Sequence, residues 1–554
     1  MKSLAIKFFV CLLLAIGLSG CVIIREMIPQ LPSPSVLPEE LNIYEKNLMV
    51  SDDDIITVNR FIDGFDEPNT PPNVEPTPRL ASFLSERYNS HNLNRSMVFI
   101  VRTKTSQVKK RIILVPGIFA GAGTLYNLAK GIVRRERSTE VWIWERRSNL
   151  LEDRSSIQNA IAQNDPSSLY KMIDLQNGKL TPDAFHRHSL EDISFVGHWG
   201  ASVMLGDLHK VVENARSEGI ELILAGYSLG ALYTTTFLAS TFDTDKGKIA
   251  GHSLVDRVFL IDGPPLIEAY IKDENTYLNG AVIFPNNIID GYNKLTSGSV
   301  FPCNGAGDKD MGVFFKNELN SALAFLEPDG TYPLLYINKF PISNMANFFI
   351  NSDDNYNGFK LFTGTFGRAD AVHSGVFSAR TTVQVTGLKP GTKMIGWISR
   401  STDNCTEFND PLEYLRTNLQ PDFNMPEWYQ PTRIMLDFGA INKNDTSKGW
   451  QSKYFRITEN SKVDKPIFCI GLSRGLSSRI ENYKKYADSI SSNDFEIIMI
   501  DKFTHIDGDT VSDNTSRQII ADVIANKLYG NQIIDKSAKN YDRACVFNPD
   551  NAQK

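Results

Sequence analysis

The run ELILAGYSLGALYTTTF, residues 221–237, restricts this chain more than any other stretch of it. Glu221 to Ala225 is a short apolar run that reads as a buried strand, and Leu229 to Ser240 has the period of a helix. Gly226-Tyr227-Ser228-Leu229-Gly230 joins them. A strand can turn into a helix over so few residues only if backbones pass close together, which Gly226 and Gly230 permit by having no Cβ. The corner leaves Ser228 strained and presented, as a nucleophilic serine needs to be. The chain is thereby directed toward βα units and a parallel sheet.

The rest of such a site can be sought by its chemistry. Two backbone N–H groups must face the oxyanion that forms when a serine attacks an acyl carbon. Leu229, after the serine, supplies one. For the other, RIILVPGIFAGAGTLYNLAKGIV reads as a strand (Arg111 to Val115), a Pro116-Gly117 turn, a glycine-rich loop and a helix. Ile118 is the expected second donor, with Phe119 the alternative. A serine hydroxyl also needs a base, and that base needs an orienting group. Of eight histidines, His505 follows the strand-like run Phe495 to Ile500 late in the chain. His186, His188 and His198 precede the serine, His252 lies too close to it, and His373 sits in an irregular glycine-rich stretch. For the acid, VDRVFLIDGPP ends a strand in Asp262, which could equally be a turn-forming Asp-Gly. The later run KPIFCIGLSRGLSS offers Ser473 and Arg474 but no carboxylate. Asp507, two residues from His505, is the fallback.

These residues resemble the α/β-hydrolase superfamily: VPGI as the oxyanion loop, GYSLG as the nucleophile elbow, LID before Gly263 as the acid, and the late His505. The likeness runs from Met97 to Leu266 and from Val463 to Leu528. It implies an α/β fold, with a mostly parallel central sheet, helices on both faces and a large cap inserted between the acid strand and the last core strands. It further implies a Ser228–His505–Asp262 triad acting through an acyl-enzyme on carboxylic esters, with no cofactor and no metal. An acid on the strand directly after the nucleophile helix is similar to the minority pattern of pancreatic-type lipases. VWIWERRSNLLEDRSS resembles the segment after the oxyanion helix in a subgroup of bacterial hydrolases, with Glu145 and Asp153 as pocket candidates. On its residues alone it reads as a buried tryptophan strand followed by a solvated charge cluster.

Lys2, Lys7, the apolar stretch Phe8 to Ile16 and small residues before Cys21 have the anatomy of an export signal. Leu18-Ser19-Gly20-Cys21 resembles the lipobox of bacterial lipoproteins, which implies an acylated Cys21 and a cell-envelope address, the outer membrane if the source is Gram-negative. The expected organisation is a signal at 1–20, a lipidated, proline-rich tether at 21–80, and a first core segment at 81–266 with an insertion at 151–207. A cap at 267–462, a second core segment at 463–530 and a tail at 531–554 follow. About two hundred residues separate Asp262 from the strand at Pro466, far more than an ordinary connection. In an oxidising compartment a Cys303–Cys405 disulfide is expected, and Cys469, inside an apolar run, reads as a buried thiol. A net charge of −6 gives no general attraction to nucleic acid, so the partners expected are a small-molecule or lipid ester and the membrane reached through Cys21. A different class of reading, a hydrolase-fold lipoprotein that binds without turnover, draws on the missing carboxylate near Arg474. A scaffold or adhesin draws only on the size of the cap.

Overall fold

The computed structural model describes residues 50–530 except 175–178, 182–185, 266–268, 285–286, 304–311, 338–339, 351–366, 373–393, 400–410, 420–425, 443–445, 447–448, 457, 478–479 and 507–517. Cys21, Cys405, His373, Asp507 and the 531–554 tail therefore lie outside the described residues.

Eight strands form the central sheet: β1 (Ile55–Asp63), β2 (Arg95–Thr103), β3 (Lys110–Val115), β4 (Thr139–Glu145), β5 (Glu221–Tyr227), β6 (Arg257–Ile261), β7 (Ile467–Arg474) and β8 (Phe495–Thr504). Their order is β1-β2-β4-β3-β5-β6-β7-β8. β1 and β2 run antiparallel to their neighbours, and every pair from β4 to β8 is parallel. The parallel strands are apolar on both faces, as they must be when helices cover both sides. In β3, Ile112 and Leu114 enter one apolar core while Ile113 and Val115 enter the other. The first of these cores is closed by α2 (Tyr126–Arg135) and α8 (Ile519–Tyr529), through residues such as Leu128, Ile132, Ile520 and Ile524. The second lies beneath α3 (Ala201–Ala215) and α4 (Leu229–Ala239).

Residues 55–63 and 78–88 correct the expected tether. β1 pairs with β2 along its whole length, and Pro78 to Tyr88 form α1, whose first turn is capped by the Thr77 hydroxyl accepting from the Leu80 N–H. Prolines at 68, 71, 72, 76 and 78 mark turns and a helix start here; Pro78 at the first helical position loses no bond that the helix would have made. As an edge strand, β1 is largely exposed, so its hydropathy is weak.

Between β6 and β7 the chain leaves the sheet. This excursion holds α5 (Gly312–Leu326), α6 (Thr432–Ala440) and a separate four-stranded sheet from residues 331–337, 340–343, 394–399 and 367–372. Cys405, the disulfide partner expected for Cys303, lies outside the described residues; Cys303 itself is a buried free thiol, its ionisation pushed up by burial. Its backbone bridges to Pro431. Cys469 is also a buried free thiol. The charge cluster after β4 differs from expectation too, since Arg146, Arg147 and Arg154 are all fully buried against carboxylates. α7 (Ile480–Ala487) connects β7 to β8. No helix among the described residues is long and apolar enough to cross a membrane.

Candidate active site

Register places the site. Val115 pairs with Gly226, Tyr227 with Ile261 and Ile261 with Ile470, so the carboxyl ends of β3, β5, β6 and β7 lie on one edge of the sheet. Such an edge is where open α/β sheets bind ligands. Ser228 follows β5 there at φ 57° and ψ −124°, a region that a side chain ordinarily avoids. Its neighbours show why glycine is needed: a Cβ on Gly226 would lie 2.3 Å from the Gly230 oxygen, and one on Gly230 would lie 2.0 Å from the Val115 oxygen. The Ser228 N–H donates to the Ile261 oxygen at 3.0 Å, and the Ala231 N–H donates to the Ser228 oxygen at 3.0 Å.

His505 stands just beyond β8. Its Nε2 lies 2.9 Å from Ser228 Oγ and its Nδ1 lies 2.7 Å from Asp262 Oδ2. An Nδ1–H facing the carboxylate leaves Nε2 free to accept the serine proton. Asp262 is fully buried at φ 38°. Its Oδ1 accepts the N–H groups of Leu472 at 3.2 Å and Ser477 at 3.0 Å, while Oδ2 also accepts that of Leu476 at 3.0 Å. Leu472 belongs to the end of β7, while Leu476 and Ser477 come from the loop after it, which offers no carboxylate in sequence. The loop instead wraps the carboxylate of the neighbouring strand, and a Cβ on Gly475 would sit 2.0 Å from Asp262 Oδ2.

A strand–GYSLG–helix corner at mid-sheet, an acid after the next strand and a histidine after the last one decide the architecture. The fold is that of the α/β hydrolases.

On the oxyanion side, Gly117 presses against the nucleophile: a Cβ there would be 3.0 Å from Ser228 Cβ. Phe119, at φ 52°, donates its N–H to Gln430 Oε1 at 2.6 Å. That bond engages the N–H of the alternative donor. The remaining described histidines have other surroundings. His252 faces Asp464 at 3.1 Å, and His188 faces the Leu151 carbonyl at 2.9 Å, with burial pushing its ionisation down to about 3. Of the two pocket candidates, Glu145 is buried and accepts the Ala122 N–H at 2.5 Å, while Asp153 accepts the His186 N–H at 2.8 Å.

Sequence reasoning missed Tyr227. Its ring stacks on the His505 imidazole at 5.1 Å and 12°, and its hydroxyl donates to the His505 carbonyl. The elbow motif leaves that position open, so only its aromatic character was a signal. Arg146 was visible as a charge after a strand. Glu427 and Gln430, far along the chain, carried no signal.

No family model matches this chain and no curated relative does. Among solved structures it is similar to a candidate lipase from Sulfolobus solfataricus, at 12% identity and TM-score 0.41, over 89% of this chain and 98% of that one. It is also similar to a soluble variant of the monoglyceride lipase of Saccharomyces cerevisiae (11%, TM-score 0.28, 78% and 91% covered). An epoxide hydrolase of Vigna radiata is a third (10%, TM-score 0.36, 87% and 98% covered). Likeness at this level carries no activity across.

Proposed function

We propose that this chain is a serine hydrolase that cleaves carboxylic esters, lipid acyl esters included. The observation that supports this most is the Asp262–His505–Ser228 series, with hydrogen-bond spacings of 2.7 and 2.9 Å, ending on a serine in the strained elbow conformation. In the reaction, Ser228 Oγ attacks the acyl carbon as His505 Nε2 takes the hydroxyl proton. The oxyanion is held by the N–H groups of Leu229 and Ile118, and Asp262 orients the imidazole and stabilises its charged form. Collapse of the tetrahedral intermediate releases the alkoxide, which takes the proton back from His505. A water, deprotonated by the same histidine, then frees the acid and restores Ser228.

The excursion between β6 and β7 is read as the cap that chooses the acyl group, its aromatic character favouring esters of apolar acids over peptides. The chain is read as exported and held at the cell envelope by acylated Cys21; Cys21→Ser should move it from the membrane to the soluble fraction. The carboxylate whose absence near Arg474 favoured a binding protein without turnover is supplied by Asp262, which that loop encloses.

The test is p-nitrophenyl butyrate hydrolysis by the chain lacking residues 1–21, together with fluorophosphonate labelling. Turnover and labelling, both lost in Ser228→Ala, are the expected result. Cleavage of peptidyl amides without ester turnover would replace the ester reading, and an unlabelled, inert wild type would remove the hydrolase reading altogether.

A further inference from the structure

The loop that carries Ile118, Pro116 to Gly121, has glycines at 117 and 121 that leave its backbone free to turn. It is gripped from two sides. Arg146, one residue beyond β4 and 2% exposed, donates Nη1 to the Pro116 oxygen at 3.2 Å. Its Nη2 donates to the Gly117 oxygen at 2.9 Å and to the Ala120 oxygen at 2.7 Å. The same guanidinium meets Glu427 Oε2 through Nε at 3.0 Å and Nη2 at 2.6 Å. From the excursion, the Glu427 N–H donates to the Phe119 oxygen at 2.9 Å, Pro426 bridges to Ala120, and Gln430 holds the Phe119 N–H.

One of these bonds has a direct bearing on catalysis. The Gly117 carbonyl and the Ile118 N–H belong to the same planar trans peptide and point in opposite directions. A guanidinium holding that carbonyl forces the Ile118 N–H to face away from Arg146. If the peptide turned over, a carbonyl dipole would stand where the donor should be, and an oxyanion hole works only when its donors are oriented before charge develops. Arginine suits the task because its rigid planar fork holds several acceptors in one fixed geometry, which the compact, rotating ammonium of a lysine does not. Glu427 holds the fork in turn and ties it to the excursion.

We propose that Arg146 and Glu427 are positioning residues for the oxyanion hole. They fix the Gly117–Ile118 peptide, so that the segment 426–430 is a standing part of the catalytic apparatus and does not swing as a lid. The inference rests on the serine-hydrolase reading above.

The experiment compares wild type, Glu427→Gln, Arg146→Lys and Arg146→Met on p-nitrophenyl butyrate, with active sites counted by fluorophosphonate and inhibition measured with butylboronic acid, which mimics the tetrahedral adduct. Loss of an oxyanion donor lowers kcat by about 10²–10³-fold. Arg146→Met should approach that loss, Glu427→Gln should show a smaller one, and Arg146→Lys should recover part of it. KM should change little and boronate affinity should fall in step with kcat. Glu427→Gln keeps the side chain's shape, so it reports even if Arg146→Met does not fold. If Glu427→Gln and Arg146→Lys label normally and keep wild-type kcat and boronate affinity, the positioning role is overturned while the hydrolase reading stands. An inert, unlabelled wild type would overturn both.

Discussion

The parallel sheet and the long excursion that rests on it share apolar packing but differ in how much buried charge they use. Within the sheet, alternate residues of each strand enter two apolar cores, as in Leu222 and Leu224 against Ile223 and Ala225 of β5. The excursion shares one of these apolar cores, as in Phe438 against Tyr233 at 4.8 Å, and adds buried charges to it. Arg146 pairs with Glu427 at 2.6 Å and Arg154 with Glu318, whose other oxygen accepts the Trp428 indole N–H at 2.9 Å. Apolar packing is forgiving of identity as long as volume is kept. A buried ion pair adds little net stability against an apolar replacement, yet removing one partner strands the other. The sheet therefore draws stability from apolar area, while the excursion is seated on the core by apolar area together with buried ion pairs that fix its register.

Four measurements would break or sharpen this contrast. The largest effect belongs to the sheet edge, where the chemistry is placed. Ser228→Ala should lower kcat by about 10⁶-fold, and Asp262→Asn by about 10⁴-fold, both measured on p-nitrophenyl butyrate. If either variant retained substantial turnover, the chemistry would have to move to groups of the excursion. Next comes the charged seam. Glu318→Ala, which strands Arg154, should cost about 3–5 kcal/mol in urea unfolding, and Arg154→Met with Glu318→Leu should recover much of it. A double variant as unstable as the single one would show that these charges carry more than registration.

A smaller change tests the apolar half: Ile113→Val in β3, fully buried, should cost about 0.5–1.5 kcal/mol and leave kcat per labelled site unchanged. The last test concerns pH. Burial pushes the Glu145 carboxyl up to about 8 from an ordinary 4.5, against the opposing pull of the Ala122 N–H and Arg146. Between those two values the folded chain keeps a proton that the unfolded chain has released, so stability falls as pH rises. Wild type should lose Tm from pH 5 to pH 8, and Glu145→Gln should lose less. Equal slopes would mean that Glu145 is charged in the fold.

Much of the core was legible because its information is local. Continuous apolar runs marked β3, β5, β6 and β7, and paired glycines marked the corner at Ser228. Chain order and the end of an apolar strand singled out His505 and Asp262, and the fold brings His505 within hydrogen-bond distance of both Ser228 and Asp262. β1 was hidden because an exposed edge strand needs few apolar residues and prolines follow it closely. The arginines after β4 read as solvated because sequence shows a charge but not the partner that allows its burial.

By itself, then, the sequence determined the parallel strands, the strained elbow and the residue types of the site, since backbone sterics and strand periodicity act over a few neighbours. Tertiary structure alone decided that the loop after β7 lends its N–H groups to Asp262, that Gln430 engages the Phe119 N–H, and that Arg146 finds Glu427 rather than water. Those are contacts across as many as 311 positions of chain. Their energy depends on which groups lose water together, and no local pattern records that.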